Sequence, residues 1–164
     1  MLKRLISTLI ASLGISSPAT AQHHFTLANA EITAPPGWRQ VNKTEDKLVL
    51  RTSNQHEQAT ISVLRLGADA TLEDFMRLCQ LRIDAERKEL GDGFIEPEAP
   101  KPFKDGDIFG LFYSGGEKKA GRVFSAYLSL ARREFLTIYV EGVGVAPKHH
   151  LESFKVFVDG LKRN

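Results

Sequence analysis

Three runs of alternating side chains in the second half of the chain restrict its fold more than any other feature. Residues 108–114, 122–130 and 135–141 (IFGLFYS, RVFSAYLSL and FLTIYVE) each alternate with period two. That is the repeat of an extended strand, whose successive side chains leave opposite faces. The segments between them are short: 115–121 carries Gly115, Gly116 and Gly121, and 131–134 reads Ala-Arg-Arg-Glu. Connections this short join antiparallel neighbours, so the runs form a meander. An apolar sheet must be covered, which in a 164-residue chain that is 42% hydrophobic points to helices packed on it.

Read strand by strand, Phe124, Ala126, Leu128 and Leu130 alternate with Val123, Ser125, Tyr127 and Ser129, and Leu136, Ile138 and Val140 with Phe135, Thr137 and Tyr139. This predicts one aliphatic face and one that mixes aromatics with hydroxyls. The aromatic face, with Phe112, Tyr127, Phe135 and Tyr139, is a candidate groove for a ligand or peptide. The alternative is that a second helix covers it.

Two helices are expected. Thr71-Leu72-Glu73-Asp74 has the form of a capping box, with Thr71 at the N-cap and Asp74 at N3. From there a 3.6-residue pattern runs to Leu90 before Gly91. Leu72, Phe75, Met76, Cys79, Ile83 and Leu90 fall on one side. Cys79, the single cysteine, is therefore expected to be a buried apolar residue, and no internal disulfide can form. Leu78, Leu81 and Ala85 interrupt the charged side of this helix. They form either a wide buried face or a partner surface. Pro147 suits the first position of a closing helix whose apolar side is Leu151, Phe154, Phe157, Val158 and Leu161. Upstream, 25–27, 31–33, 38–41, 47–52 and 59–66 read as strands broken at Pro35-Pro36-Gly37 and at the polar loop 53–58. Pro97, Pro100 and Pro102 suit an exposed edge or an extended loop.

The N-terminus reads as an export signal. Lys3 and Arg4 precede an apolar stretch at 5–15, and Ala19-Thr20-Ala21 has the small-x-small form of a cleavage site. The domain organisation expected is a signal peptide at 1–21 and a single domain over 22–164, periplasmic or secreted and without stable membrane insertion. Removing Lys3 and Arg4 from the 22 basic residues makes them equal in number to the 20 acidic ones. A neutral chain argues against nucleic acid as partner, since phosphate binding needs excess positive charge.

The element order carries a resemblance. A short first strand, the turn Ala34-Pro35-Pro36-Gly37-Trp38, two strands, the helix opening Thr71-Leu72-Glu73-Asp74-Phe75, the meander and the closing helix resemble the PsbP-like/DcrB-like superfamily over roughly residues 25 to 162. The resemblance implies an α+β fold: an α/β/α sandwich with a central, mostly antiparallel sheet and helices on its faces. It also implies a role without catalysis. Members are mostly extrinsic photosystem subunits, envelope proteins, small-GTPase binders and effector chaperones, with no shared catalytic motif and no common cofactor.

Enzyme signatures fail on their spacing. His56-Glu57 begins a zinc-protease motif, but Thr60 stands where the second histidine is needed. Gly142-Val143-Gly144 opens like a dinucleotide-binding turn, then meets Pro147 in place of the third glycine. Asp105-Gly106-Asp107 lacks calcium-loop spacing. His149 and His150 are adjacent, point about 100° apart on a helix, and are expected to be exposed. If cleavage follows Ala21, the new terminus Gln22-His23-His24 offers an amine, two amides and the His24 ring as a square-planar chelate for Cu(II) or Ni(II). The function expected is an exported, non-catalytic binding or accessory protein whose partner is an envelope protein. The alternative is a periplasmic small-molecule binder using the aromatic face.

Overall fold

The computed structural model describes residues 22–95 and 100–163. The expected leader at 1–21, and Pro97, lie outside them. Eleven strands and two longer helices follow one another: β1 (His23–Leu27), β2 (Ala30–Ala34), β3 (Trp38–Lys43), β4 (Lys47–Thr52), β5 (Glu57–Arg65), α1 (Leu72–Leu90), β6 (Phe94–Ile95), β7 (Lys101–Asp105), β8 (Ile108–Glu117), β9 (Arg122–Ala131), β10 (Glu134–Val143), α2 (Pro147–Asp159) and β11 (Lys162–Arg163). The main sheet runs β3-β4-β5-β10-β9-β8, and β8 pairs on its outer side with both β6 and β7. A small sheet, β1-β2-β11, lies beside it. Every pairing is antiparallel. This is the expected architecture, with the proline-bearing segment 101–105 serving as an outer strand.

The edge strand β3 is irregular. Its register with β4 shifts between Gln40 and Asn42, leaving Val41 as an exposed bulge among polar neighbours. Bulges and charged residues on an outer strand are the usual guard against unwanted pairing.

α1 starts as its sequence predicts. The Thr71 hydroxyl accepts from the Asp74 backbone N–H (3.2 Å), and the Asp74 carboxylate accepts from the Thr71 N–H (2.9 Å). Its buried stripe is Phe75, Cys79, Ile83 and Glu86. Leu72 and Met76, expected in that stripe, are exposed. The helix is rotated so that the run at 75, 79, 83 and 86 faces the sheet, which leaves the N-terminal apolar flank in solvent.

The two helices lie on opposite faces of the main sheet, and the small sheet extends the cover on the α2 face. α1 seals the β8–β10 half of one face, over Leu111, Phe124, Leu128, Phe135 and Tyr139. α2, with Phe154 and Phe157, packs over β9 and β10 on the other face, and with the small sheet's Leu27, Ile32 and Ala34 it closes a core over Leu50, Ile61, Leu136, Ile138 and Tyr127. Each face therefore keeps one half uncovered.

The register corrects the expected division into an aliphatic and an aromatic face. Ala131 pairs with Glu134 across a two-residue turn, so Tyr127 stands opposite Ile138, and Tyr139 opposite Ala126. Phe112 stands opposite Tyr127. Directly opposed residues share a face, so Phe112 and Tyr127 lie on the α2 side while Phe135 and Tyr139 lie beneath α1. The four do not form one surface. Like parity within each strand was not enough, because turn length decides which parities meet.

Candidate functional site

The two uncovered half-faces differ in chemistry. On the α1 side, β4 and β5 present Val49, Arg51, Gln58, Thr60, Ser62 and Leu64, a mostly polar row of the kind an antiparallel sheet turns to water. On the α2 side, β7 and β8 present aromatic rings instead. Phe103 is 36% exposed and Phe112 38%. They stack with ring centres 5.3 Å apart, and Phe112 lies 5.3 Å from Tyr127 and 6.4 Å, edge-on, from Phe154. Phe103 can lie flat on the sheet because Gly110 is its opposite residue: a Cβ there would fall 2.1 Å from the ring.

This platform opens into a groove between the sheet and α2. A hollow of about 290 Å³ is bounded by Phe112, Ser114, Ser125, Leu151 and Phe154. It shares Ser114, Ser125 and Leu151 with a larger hollow of about 590 Å³, whose walls include Ile95, Val123, Val145 and Pro147, with His150 at the base. Leu151 is 53% exposed and Ile95 47%. Leu151, expected on the packed side of the closing helix, thus forms the rim of the groove. Lys118 and Arg122 border the far end. Arg122 is bound to Glu141 (2.6 Å).

A buried polar chain lies under the groove. The Ser125 hydroxyl is 3.2 Å from His150 Nε2. His150 Nδ1 is 3.5 Å from Glu57 Oε1, and Glu57 Oε2 is 3.5 Å from both His149 Nε2 and the Ser153 hydroxyl. Glu57, Ser125 and His150 are all buried, whereas His149 is exposed. The expectation that both histidines are exposed is therefore corrected at His150. The sequence did hold the signal. His150 falls four and seven residues before Phe154 and Phe157, on their side of the helix, and Glu57 leads the inward row Ala59, Ile61, Val63.

Glu57, His150 and Ser125 have the connectivity of a hydrolytic triad, but not its surroundings. Ser125 sits mid-ladder, paired with Ser114 on one side and Val140 on the other, so the local amides are engaged in strand pairing. An oxyanion needs N–H groups aimed at it, and a strand interior offers none. Among the described residues no group of three or more His, Cys, Asp and Glu side chains is arranged to hold a metal ion.

The other candidates are dispersed. Tyr139 is locked under α1: its hydroxyl donates to Glu86 (3.1 Å), which also binds Arg82 (2.6 Å). Burial, then the nearby Glu86 carboxylate, pushes the phenol far above its ordinary value. Phe135 packs 6.1 Å from Phe75. Leu78 is half-buried against the α1 cluster, while Leu81 is 62% exposed and Ala85 is exposed, so α1 does not use them as a wide packing face. His24 sits in β1 opposite Thr33, its Nδ1 3.3 Å from the Thr33 hydroxyl. A chelate through Gln22, His23 and His24 requires the first residues of β1 to leave the strand.

Comparison with known protein families gives no matching family model, and no curated protein matches in sequence. Solved structures do match. The solution structure of cyanobacterial PsbP (CyanoP) from Synechocystis sp. PCC 6803 superposes with a TM-score of 0.69 at 10% identity, covering 91% of this chain and 96% of that one. A crystal structure from Bacteroides thetaiotaomicron VPI-5482 superposes at 0.54 with 11% identity, over 86% of this chain; the match spans about half (48%) of that longer protein. With a large antiparallel sheet, helices on its opposite faces and a near end-to-end superposition on CyanoP, this chain has the PsbP-like fold.

Proposed function

We propose that the protein is an exported, non-catalytic binding or accessory component of the bacterial envelope, and that an envelope protein docks on the Phe103–Phe112 platform beside Leu151. The observation carrying this reading is the contrast between the two uncovered half-faces. One is mostly polar, with Leu64 its exposed apolar residue, whereas the other displays stacked aromatic rings with Leu151 beside them. Clustered exposed apolar groups of this kind mark interaction surfaces, and aromatic residues are enriched at such interfaces. The leader-like segment at 1–21 supports export. The strand-bound environment of Ser125 supports binding over bond-making.

The test is crosslinking in native envelopes. A photoreactive phenylalanine derivative in place of Phe112 should give one dominant protein adduct, and the same group at Thr60, on the polar half-face, should not. Introducing Leu151→Asp should reduce that adduct at least about tenfold while the melting temperature stays within a few degrees. Equal adducts from both positions, or an adduct indifferent to Leu151→Asp, would refute the docking surface.

A second reading follows from the hollow beside Val145. At about 590 Å³ it lies within the range of roughly 300–1,000 Å³ typical of small-ligand sites. On this reading the protein holds a small apolar compound there.

A further inference from the structure

We propose that the hollow between Val145, Leu151 and the β8–β9 ladder selects uncharged amphiphiles bearing a hydroxyl group and discriminates against carboxylates, through the proton arrangement of the Glu57–His150–Ser125 chain. This rests on the small-ligand reading above and adds the chemistry of the ligand.

Glu57 is 3% exposed and His150 2%, and Glu57 Oε1 and His150 Nδ1 face each other at 3.5 Å with no other partner for either atom. A neutral imidazole carries its hydrogen on one nitrogen. A lone pair on Nδ1 would confront the carboxylate's own lone pairs in a buried setting, so the hydrogen sits on Nδ1. Nε2 is then an acceptor, and at 3.2 Å the hydroxyl in reach of it is that of Ser125. The Ser125 proton is thereby committed to His150. What the serine offers to the hollow is its oxygen lone pairs.

Ser125 borders both hollows, and the walls around the larger one are predominantly apolar. A ligand seated there meets a largely apolar lining with two serine hydroxyls: that of Ser114, which keeps its own proton, and that of Ser125, which offers only lone pairs and so sets the preference. An alcohol donates to Ser125. A carboxylate has no hydrogen to give, and it would bring a second negative charge toward Glu57. Lys118 at the far end does not reverse this preference because it is exposed to solvent, and the Arg122 guanidinium lies on the α1 face, bound to Glu141.

The test uses the full-length exported chain and two probes of equal length, 1-octanol and octanoate, titrated calorimetrically at about pH 8, where octanoate is ionised. Octanol should bind at least about tenfold more tightly, the ratio of one net hydrogen bond. Ser125→Ala should bring the two to within about threefold. Glu57→Gln should also narrow the ratio, because the amide can donate to Nδ1 and turn the relay around. A nitrogen-detected NMR spectrum of the unsubstituted protein supplies a check that needs no variant: His150 should show the Nδ1–H tautomer. An Nε2–H tautomer, or equal binding of the two probes, overturns the selectivity while leaving the ligand-hollow reading intact. Binding of neither probe overturns both.

Discussion

Polar side chains at apolar-rhythm positions explain much of how this molecule is held together. Glu86 lies on the buried stripe of α1, where its carboxylate joins Arg82 on its own helix to Tyr139 on β10. Glu86→Ala removes the acceptor of the Tyr139 hydroxyl, which still accepts from Arg122 (3.4 Å), while Arg82, which is partly exposed, rehydrates; the expected loss is about 2 kcal/mol in a urea titration. Cys79 follows the simpler rule. Burial pushes its thiol up to about 12, from an ordinary 9.0. The unfolded chain therefore ionises first, and stability that is fully present below about pH 9 is lost as pH rises toward 12. Tyr139 has the same sign. Urea midpoints should fall between about pH 9 and 10.5, and less steeply in Cys79→Ala. Cys79 was legible from helical spacing because an apolar residue on an apolar stripe is self-consistent. Glu57, Glu86 and His150 occupy the same rhythm but are polar, and their burial depends on partners such as Tyr139, Ser125 and each other that come from distant segments. Those partners do not appear in any local window.

At the level of elements, boundaries were more legible than facing. The capping box at Thr71, the glycine ending α1 and Pro147 at the head of α2 all set limits that the structure keeps. Thr71→Ala should cost about 1 kcal/mol. The Asp74 carboxyl is held below its ordinary value chiefly by the Thr71 backbone N–H and then by the Thr71 hydroxyl. Its contribution is thus present above about pH 4 and disappears as acid protonates it, so helicity at residues 72–75 should fray first in an acid titration followed by NMR. Which residues face which helix depends on turn length and helix rotation, and these are set by tertiary contacts. That is why Tyr127 and Tyr139 ended on opposite sides and why Met76 is in solvent. Two substitutions check the observed faces. Leu81→Asp should change stability by no more than about 0.5 kcal/mol, as at other exposed positions. Gly110→Ala should displace Phe103 from the sheet. Amides of 101–105 would then exchange faster with solvent, at a cost of about 1–2 kcal/mol.

For the molecule as a whole, the organising fact is that α1 covers one face of the main sheet at its β8 end, while α2 and the small sheet together cover the other face from β9 to β4. Each helix closes a core from one side, and the sheet's two open quarters are left with contrasting chemistry. The element order led to this architecture because local strand and helix signals agree along the chain. The open quarters were not legible, since their existence depends on where each helix comes to rest. The N-terminal reading has its own check: the intact mass of the exported protein should correspond to a chain beginning at Gln22, and any other start removes the proposed chelate at His24.

The kink at Val41 bears on how such molecules behave when crowded together. A second copy laying a straight backbone along β3 would fall out of step after two or three amides, and Arg39 and Lys43 would repel their counterparts in a like-with-like pairing. Fibril growth from that flank is therefore self-terminating.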